Sequence, residues 1–111
     1  MARILLLEDD PDQLEFRKLL LENAGHQVQT AVAASEAMAA AAGADVIVLD
    51  LVPGSEDLLA ALPETTRVVV LSGREAVSDA VAARSACLLR KPCSSRTLIE
   101  AIDRIWTSPS K

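Results

Sequence analysis

Residues 4–11 read ILLLEDDP. Four apolar residues run into three acids and a proline, and that abrupt change decides how the rest of the chain is read. The apolar run has the length of a strand covered on both faces. Pro11 suits the first position of a helix, where its missing N–H would have no partner anyway, and Asp10 before it suits the N-cap. The stretch is thus a strand passing directly into a helix. It also poses an electrostatic problem. Glu8, Asp9 and Asp10 stand together at the end of a buried strand, and like charges out of water repel.

The same unit recurs. Apolar runs RILLL (3–7), VQTA (28–31), DVIVL (45–49), RVVVL (67–71) and ACLL (86–89) alternate with segments of helical spacing. Residues 11–24 carry Leu14, Phe16, Leu19, Leu20 and Leu21 and stop at Gly25. Residues 34–42 are Ala-rich and end before Gly43, and SEDLLAAL (55–62) starts on Ser55 as its cap. Residues 75–84 are weaker, with only Val77 and Val81 at i, i+4, whereas 94–106 place Leu98, Ile102 and Ile105 on one stripe behind a Ser94 or Ser95 cap. The βα alternation, repeated five times, predicts an α/β fold: a (βα)5 doubly wound parallel five-stranded sheet with helices on both faces. Residues 1–106 read as one domain and TSPSK (107–111) as a frayed tail.

Composition narrows the function. The chain of 111 residues is 50% hydrophobic, yet its only aromatic residues are Phe16 and Trp106, so the core must be Leu, Val, Ile and Ala. A formal charge of −5 with no basic run disfavours direct binding to nucleic acid or an anionic membrane. Cys87 and Cys93 fit neither a C-x-x-C motif nor a zinc set, which points to a reduced, cytoplasmic protein. The N-terminus lacks a signal-peptide pattern, and no apolar run approaches the ~20 residues that span a bilayer.

Ligands of open parallel sheets bind beyond the carboxyl ends of the strands. Glu8, Asp9 and Asp10 follow the first strand, Asp50 the third, Ser72 and Gly73 the fourth, and Arg90, Lys91 and Pro92 the fifth. The second strand offers only Thr30 and Ala31. Each group alone has an ordinary reading: first-turn acids complementing a helix dipole, a loop cap, a turn, a surface bend. Together they place acids, a hydroxyl and an ammonium on one rim. Clustered carboxylates suit a hard divalent cation such as Mg2+, and the ensemble suits reception of a phosphoryl group.

With these motifs in this order, the chain resembles the receiver domain of two-component response regulators, the CheY-like family, over essentially its whole length. ILLLEDDP is similar to that family's first strand and acidic pair, and LLLENAGHQVQTA to its first helix, turn and second strand. ADVIVLDLVPG is similar to the phosphoacceptor strand, VVVLSG to the fourth strand with its hydroxyl residue, and LLRKPCSSRTLIEAI to the Lys-Pro strand end and last helix. The resemblance implies that Asp50 is the phosphorylated nucleophile. It implies Mg2+ held by Asp9, Asp50 and the backbone carbonyl of Val52, with Glu8 acting through water, and Ser72 and Lys91 contacting the phosphoryl group. It further implies a regulatory phosphoacceptor, not an enzyme beyond self-catalysed phosphotransfer and autodephosphorylation. A sensor histidine kinase or phosphotransfer protein would supply the phosphoryl group, and a downstream protein target would read the result. No helix-turn-helix or enzymatic domain is present in the sequence, so output is expected in trans from a stand-alone receiver.

The chain departs from the family pattern in four places. The loop DLVPGSEDLL (50–59) is one residue short before Pro53-Gly54, which is expected to alter how the third helix enters. Leu88 stands where an aromatic is usual, three residues before Lys91, so the family's aromatic switch is missing. The stretch from Ser72 to Lys91 is a few residues short, which predicts a short, displaced or partly disordered fourth helix. Cys93 follows Lys91-Pro92 and reads as a small buried filler. Of the remaining residues, His26 reads as exposed, Trp106 as packing, Arg74 as a surface residue that could tune phosphoryl lifetime, and Arg90 as pointing away from the rim. The alternative function is a degenerate, non-phosphorylated receiver used as a docking module. A flavoprotein would need a Ser/Thr-rich phosphate loop after the first strand, and an Asp-nucleophile phosphatase would need a second Asp where Val52 stands.

Overall fold

The apolar runs extend side by side. In a computed structural model, which describes residues 2–63, 65–73 and 79–107, they form one parallel sheet in the order β2-β1-β3-β4-β5. The strands are β1 (Arg3–Leu7), β2 (Gln27–Ala31), β3 (Val46–Asp50), β4 (Arg67–Ser72) and β5 (Cys87–Arg90). Between and after them lie α1 (Pro11–Asn23), α2 (Ala34–Ala40) with a 3-10 turn at Ala41–Gly43, α3 (Ser55–Ala61), α4 (Asp79–Arg84) and α5 (Ser95–Thr107). The expected doubly wound architecture is therefore present. Asp50 and Ser72 are the last residues of their strands, where the sequence reading had them just beyond.

Successive strand residues point to opposite faces, so each central strand feeds two cores. Leu5, Leu7, Ile47, Leu49, Val68 and Val70 pack beneath α2, α3 and α4 through Ala37, Leu58, Leu59 and Val81. Ile4, Leu6, Val46, Val48, Val69 and Leu71 pack beneath α1 and α5 through Leu21, Leu98, Ile102 and Ile105. This two-sided burial is why DVIVL and RVVVL show no alternation. At the amino end of β4, Arg67 lies over the Trp106 ring, 5.9 Å from its centroid, so Trp106 is a packing residue.

The caps follow local chemistry, with one correction. Asp10 caps α1 as expected: its Oδ1 accepts from Asp12 N at 2.9 Å and Gln13 N at 3.4 Å. Gly25 follows that helix at φ 97°, the left-handed conformation that glycine tolerates. Ser94, rather than Ser95, caps α5, its Oγ accepting from Thr97 N at 3.1 Å. Ser55 is not the cap of α3. Gly54 takes that position at φ 87°, and Ser55 is the first helical residue, buried. The short loop leaves only Pro53 and Gly54 to reverse the chain, which demands a left-handed residue.

Two other expectations change and one holds. On α1 the inward stripe is Leu14, Arg17 and Leu21, whereas Phe16 and Leu19 are 58% and 49% exposed. His26 is buried, not exposed: Ala2 N donates to its Nδ1 at 3.1 Å, and its Nε2 lies 3.3 Å from Asp103 Oδ1 on α5. The fourth helix is short, as expected, and Arg84 ties it to the end of α3 by donating to Leu59 O, Leu62 O and Pro63 O at 2.8 to 3.1 Å. Arg74 and Val77 lie outside the described residues, as do residues 108–111 of the expected tail, whose first residue, Thr107, closes α5. Among the described residues, no helix is long and apolar enough to cross a membrane.

Candidate functional site

The strand order reverses between β1 and β3, and a doubly wound sheet opens its crevice at such a point. Glu8 leaves the end of β1 there, and Asp50 ends β3 beside it. Both acids are buried, at 2% and 7% exposure. They belong to the wall of a cleft of about 690 Å³ that is also lined by Asp9, Asp10, Arg17 and Lys91, with Pro92 and Cys93 on one side. A hollow of about 420 Å³ near the amino ends of β3 and β4 is lined mainly by Ala, Leu, Pro and Thr and gathers no comparable chemistry.

Cations hold the acids together. Lys91 Nζ donates to Asp50 Oδ2 from the loop after β5. Arg17 Nη1 donates to Glu8 Oε1, and the same nitrogen lies 3.7 Å from Asp50 Oδ2. Glu8 Oε2 accepts from Asp10 N at 3.3 Å. The acidic run at 8–10 thus divides into three tasks. Glu8 turns inward to Arg17, Asp10 caps α1, and Asp9 lines the cleft while exposed to water.

These surroundings pull the two buried carboxyls apart in acidity. Burial raises the pKa of Glu8, and hydrogen bonding to Asp50 and the nearby negative charge add to it, outweighing the help from Asp10 N and Arg17. For Asp50, burial works upward, but the hydrogen bond from Glu8, the contact with Lys91 and the charge of Arg17 win, and the net shift is downward. Asp50 is the carboxylate of the pair and Glu8 the readier proton holder. A low-pKa carboxylate at a cleft wall is an oxygen nucleophile that needs no base.

Ser72 and Val52 stand differently. Ser72 is buried at the end of β4, and its carbonyl accepts from Lys91 N at 2.8 Å, which fixes where the Lys91 loop departs. Val52 packs into the core, its N–H bonded to Asp50 O at 2.8 Å and to Ser55 Oγ at 2.9 Å. Its carbonyl accepts from Ser55 N at 3.1 Å. Neither is among the described residues lining the cleft. Arg90 is exposed at the strand end, and Leu88 is 40% exposed on β5. Cys93 is half-buried against the α5 side of the core, where burial pushes its thiol up. The Lys91–Pro92 peptide is cis.

The carboxylates of Glu8, Asp9 and Asp50 are of the kind a hard dication such as Mg2+ selects, and all three line one cleft. They are not drawn together around a common point: among the described residues, no group of three or more His, Cys, Asp or Glu side chains is arranged to hold a metal ion. Arg17 and Lys91 already compensate the charge of Glu8 and Asp50. Sequence reading passed over Arg17 because arginine on a helix is usually solvated. The signal was present in the spacing, since positions 14, 17 and 21 share the inward stripe and 16 and 19 do not.

No protein-family model matches the sequence, and no curated protein matches it significantly. Solved structures do. The receiver domain of a Francisella response regulator superposes with a TM-score of 0.86 at 26% identity, over 96% of this chain and 97% of that one. A response regulator receiver domain protein from Clostridium thermocellum gives 0.83 at 28% identity, over 96% and 94%. The Thermotoga maritima response regulator TrrA, solved in complex with Mg2+ and BeF, gives 0.84 over 95% and 99%, and at 22% identity that likeness concerns the fold. The chain therefore has the CheY-like fold, and several solved structures that it is similar to across nearly its whole length are receiver domains of response regulators, which supports a receiver role in two-component signalling.

Proposed function

We propose that this protein is a phosphoacceptor whose acceptor is Asp50. The observation that carries the reading is the Asp50 carboxylate at the end of the central strand β3. It is buried, held ionised and capped by the Lys91 ammonium in an open cleft. In the proposed step, a carboxylate oxygen of Asp50 attacks the phosphorus of a phosphohistidine or an acyl phosphate. The new P–O bond forms as the bond to the donor nitrogen or oxygen breaks, and that electron pair leaves with the donor. Such transfers need alignment and charge compensation more than proton chemistry. Lys91 supplies one compensating charge, and its tether to the β4 end brings Ser72 to the same edge. We assign both as contacts of the transferred group.

Asp9 and Asp50 are the proposed metal ligands, with Glu8 acting through water. Val52 would join them only by sharing the carbonyl oxygen that Ser55 N uses. When bound, Mg2+ would offset the repulsion between the carboxylate and the incoming phosphoryl oxygens. That TrrA was solved with Mg2+ and BeF supports this assignment. The product adds about −1.5 to −2 charges beside Lys91, a local electrostatic change able to shift β4, β5 and the Lys91 loop. A sensor histidine kinase or phosphotransfer protein is the proposed donor and a downstream protein the reader, in a cytoplasmic signalling role. The test is intact mass after incubation with acetyl phosphate or phosphoramidate, with and without Mg2+. One phosphoryl adduct that Asp50→Asn lacks is expected, and an equal adduct in Asp50→Asn would overturn the assignment. The pairing of Glu8 with Arg17 favours a second reading, a docking module that is never phosphorylated, and that reading expects no adduct from any donor.

A further inference from the structure

Arg17 is a charged residue on the inward stripe of α1, between Leu14 and Leu21, and its side chain is only 12% exposed. Its Nη1 donates to Glu8 Oε1 at the end of β1 and stands 3.7 Å from Asp50 Oδ2 at the end of β3. Lys91 meets that same Asp50 oxygen from the loop after β5. Two buried carboxylates are thus matched by two side-chain cations, one from α1 and one from the loop after β5. Of the two cations, only Arg17 meets Glu8 and approaches Asp50 as well. A divalent cation drawn to these carboxylates finds their charge already compensated, and it would stand against a guanidinium in contact with the same oxygens.

We propose that Arg17 is a tethered counter-ion that competes with divalent metal for Glu8 and Asp50, so that metal loading requires withdrawal of the guanidinium from between β1 and β3. The inference deepens the reading of this cleft as an Mg2+-assisted phosphoacceptor and rests on it. Arg17 also links α1 to two strand ends, so its withdrawal would loosen α1 at that point. Metal loading would then be felt on the face that bears the exposed Phe16 and Leu19.

The test is direct titration of the whole chain with Mg2+ alone, and with Mn2+ followed by water proton relaxation, without any phosphodonor. Wild type is compared with Arg17→Met, Arg17→Gln and Arg17→Lys. Both neutral variants are expected to bind metal about 10-fold tighter or more, since a contacting like charge has been removed. Arg17→Lys, which keeps the charge, is expected to stay near wild type. Two neutral variants are used because the Met side chain leaves Glu8 Oε1 without the donor that Arg17 supplied, whereas Gln can still provide one. Equal affinities in wild type and neutral variants would overturn the proposal, as would absence of metal binding in all of them. Intact-mass adducts measured on the same variants separate the two ideas. Tightened metal binding without any adduct would refute the phosphoacceptor reading and leave the competition standing. A normal adduct with unchanged metal affinity would refute the competition alone.

Discussion

Glu8 and Asp50 face each other with opposite shifts, and that sets the acid behaviour of the fold. Asp50 ionises below its ordinary value of 3.8. Its contribution to stability is full above that value and is lost as pH falls through the lower folded-state pKa. Glu8 ionises above its ordinary value of 4.5. At neutral pH the unfolded chain carries it charged at no penalty and the folded chain does not. As pH falls from the raised value toward 4.5, the folded form takes the proton first and the penalty lifts. Stability should therefore gain from Glu8 just above pH 4.5 and lose from Asp50 below 3.8. Urea midpoints measured against pH test this: Glu8→Gln should lack the gain that wild type shows, and identical slopes would count against it. At the same scale, Lys91→Ala should slow phosphoryl uptake by about 10-fold or more, as expected when one donor at a developing charge is lost. A stopped time course of adduct formation would show it, and an unchanged rate would remove Lys91 from the site.

The elements around the cleft explain what could be read in advance and what could not. β3 and β4 were legible because continuous β-branched runs have few other homes, and the caps at Asp10 and Ser94 because their side chains bond locally. The α3 entry was not legible. Ser55 looks like a cap in sequence, yet its Oγ accepts from Val52 N and donates to Asp50 O at 3.2 Å, a set of bonds that exists only once the short loop closes. His26 escaped for the same reason: its partners, Ala2 and Asp103, come from distant segments. Two substitutions test the loop. Gly54→Ala should cost about 1–2 kcal/mol, because φ 87° is a left-handed conformation and the new Cβ would come within 3.2 Å of Ala34 Cβ. Ser55→Ala should cost about 0.5–1.5 kcal/mol, because Val52 N and Asp50 O lose the hydroxyl but keep their bond to each other. Urea denaturation measures both, and a neutral Ser55→Ala would mean that the loop holds without that hydroxyl.

At the scale of the molecule, two apolar layers clamp the sheet and leave the chemistry at its carboxyl edge. Ile102 is fully buried between α5 and the sheet. Ile102→Ala should cost about 2–5 kcal/mol, a large part of the ~5–15 kcal/mol available to a domain of this kind. Adduct formation by the folded fraction should persist, because Asp50, Lys91 and Glu8 hang from strand ends and not from α5. The fold class was legible from βα alternation alone, while the charge balance of the cleft was not, since it depends on which strand ends meet in space. The central claim is that Asp50 accepts the phosphoryl group. Borohydride reduction after acetyl phosphate treatment, followed by peptide mass mapping, tests it most directly, because borohydride converts an acyl phosphate to an alcohol and marks its position. Reduction at residue 50 alone, dependent on the phosphodonor, is the expected result. Reduction at another carboxylate, or none in a folded protein treated with donor and Mg2+, would contradict it.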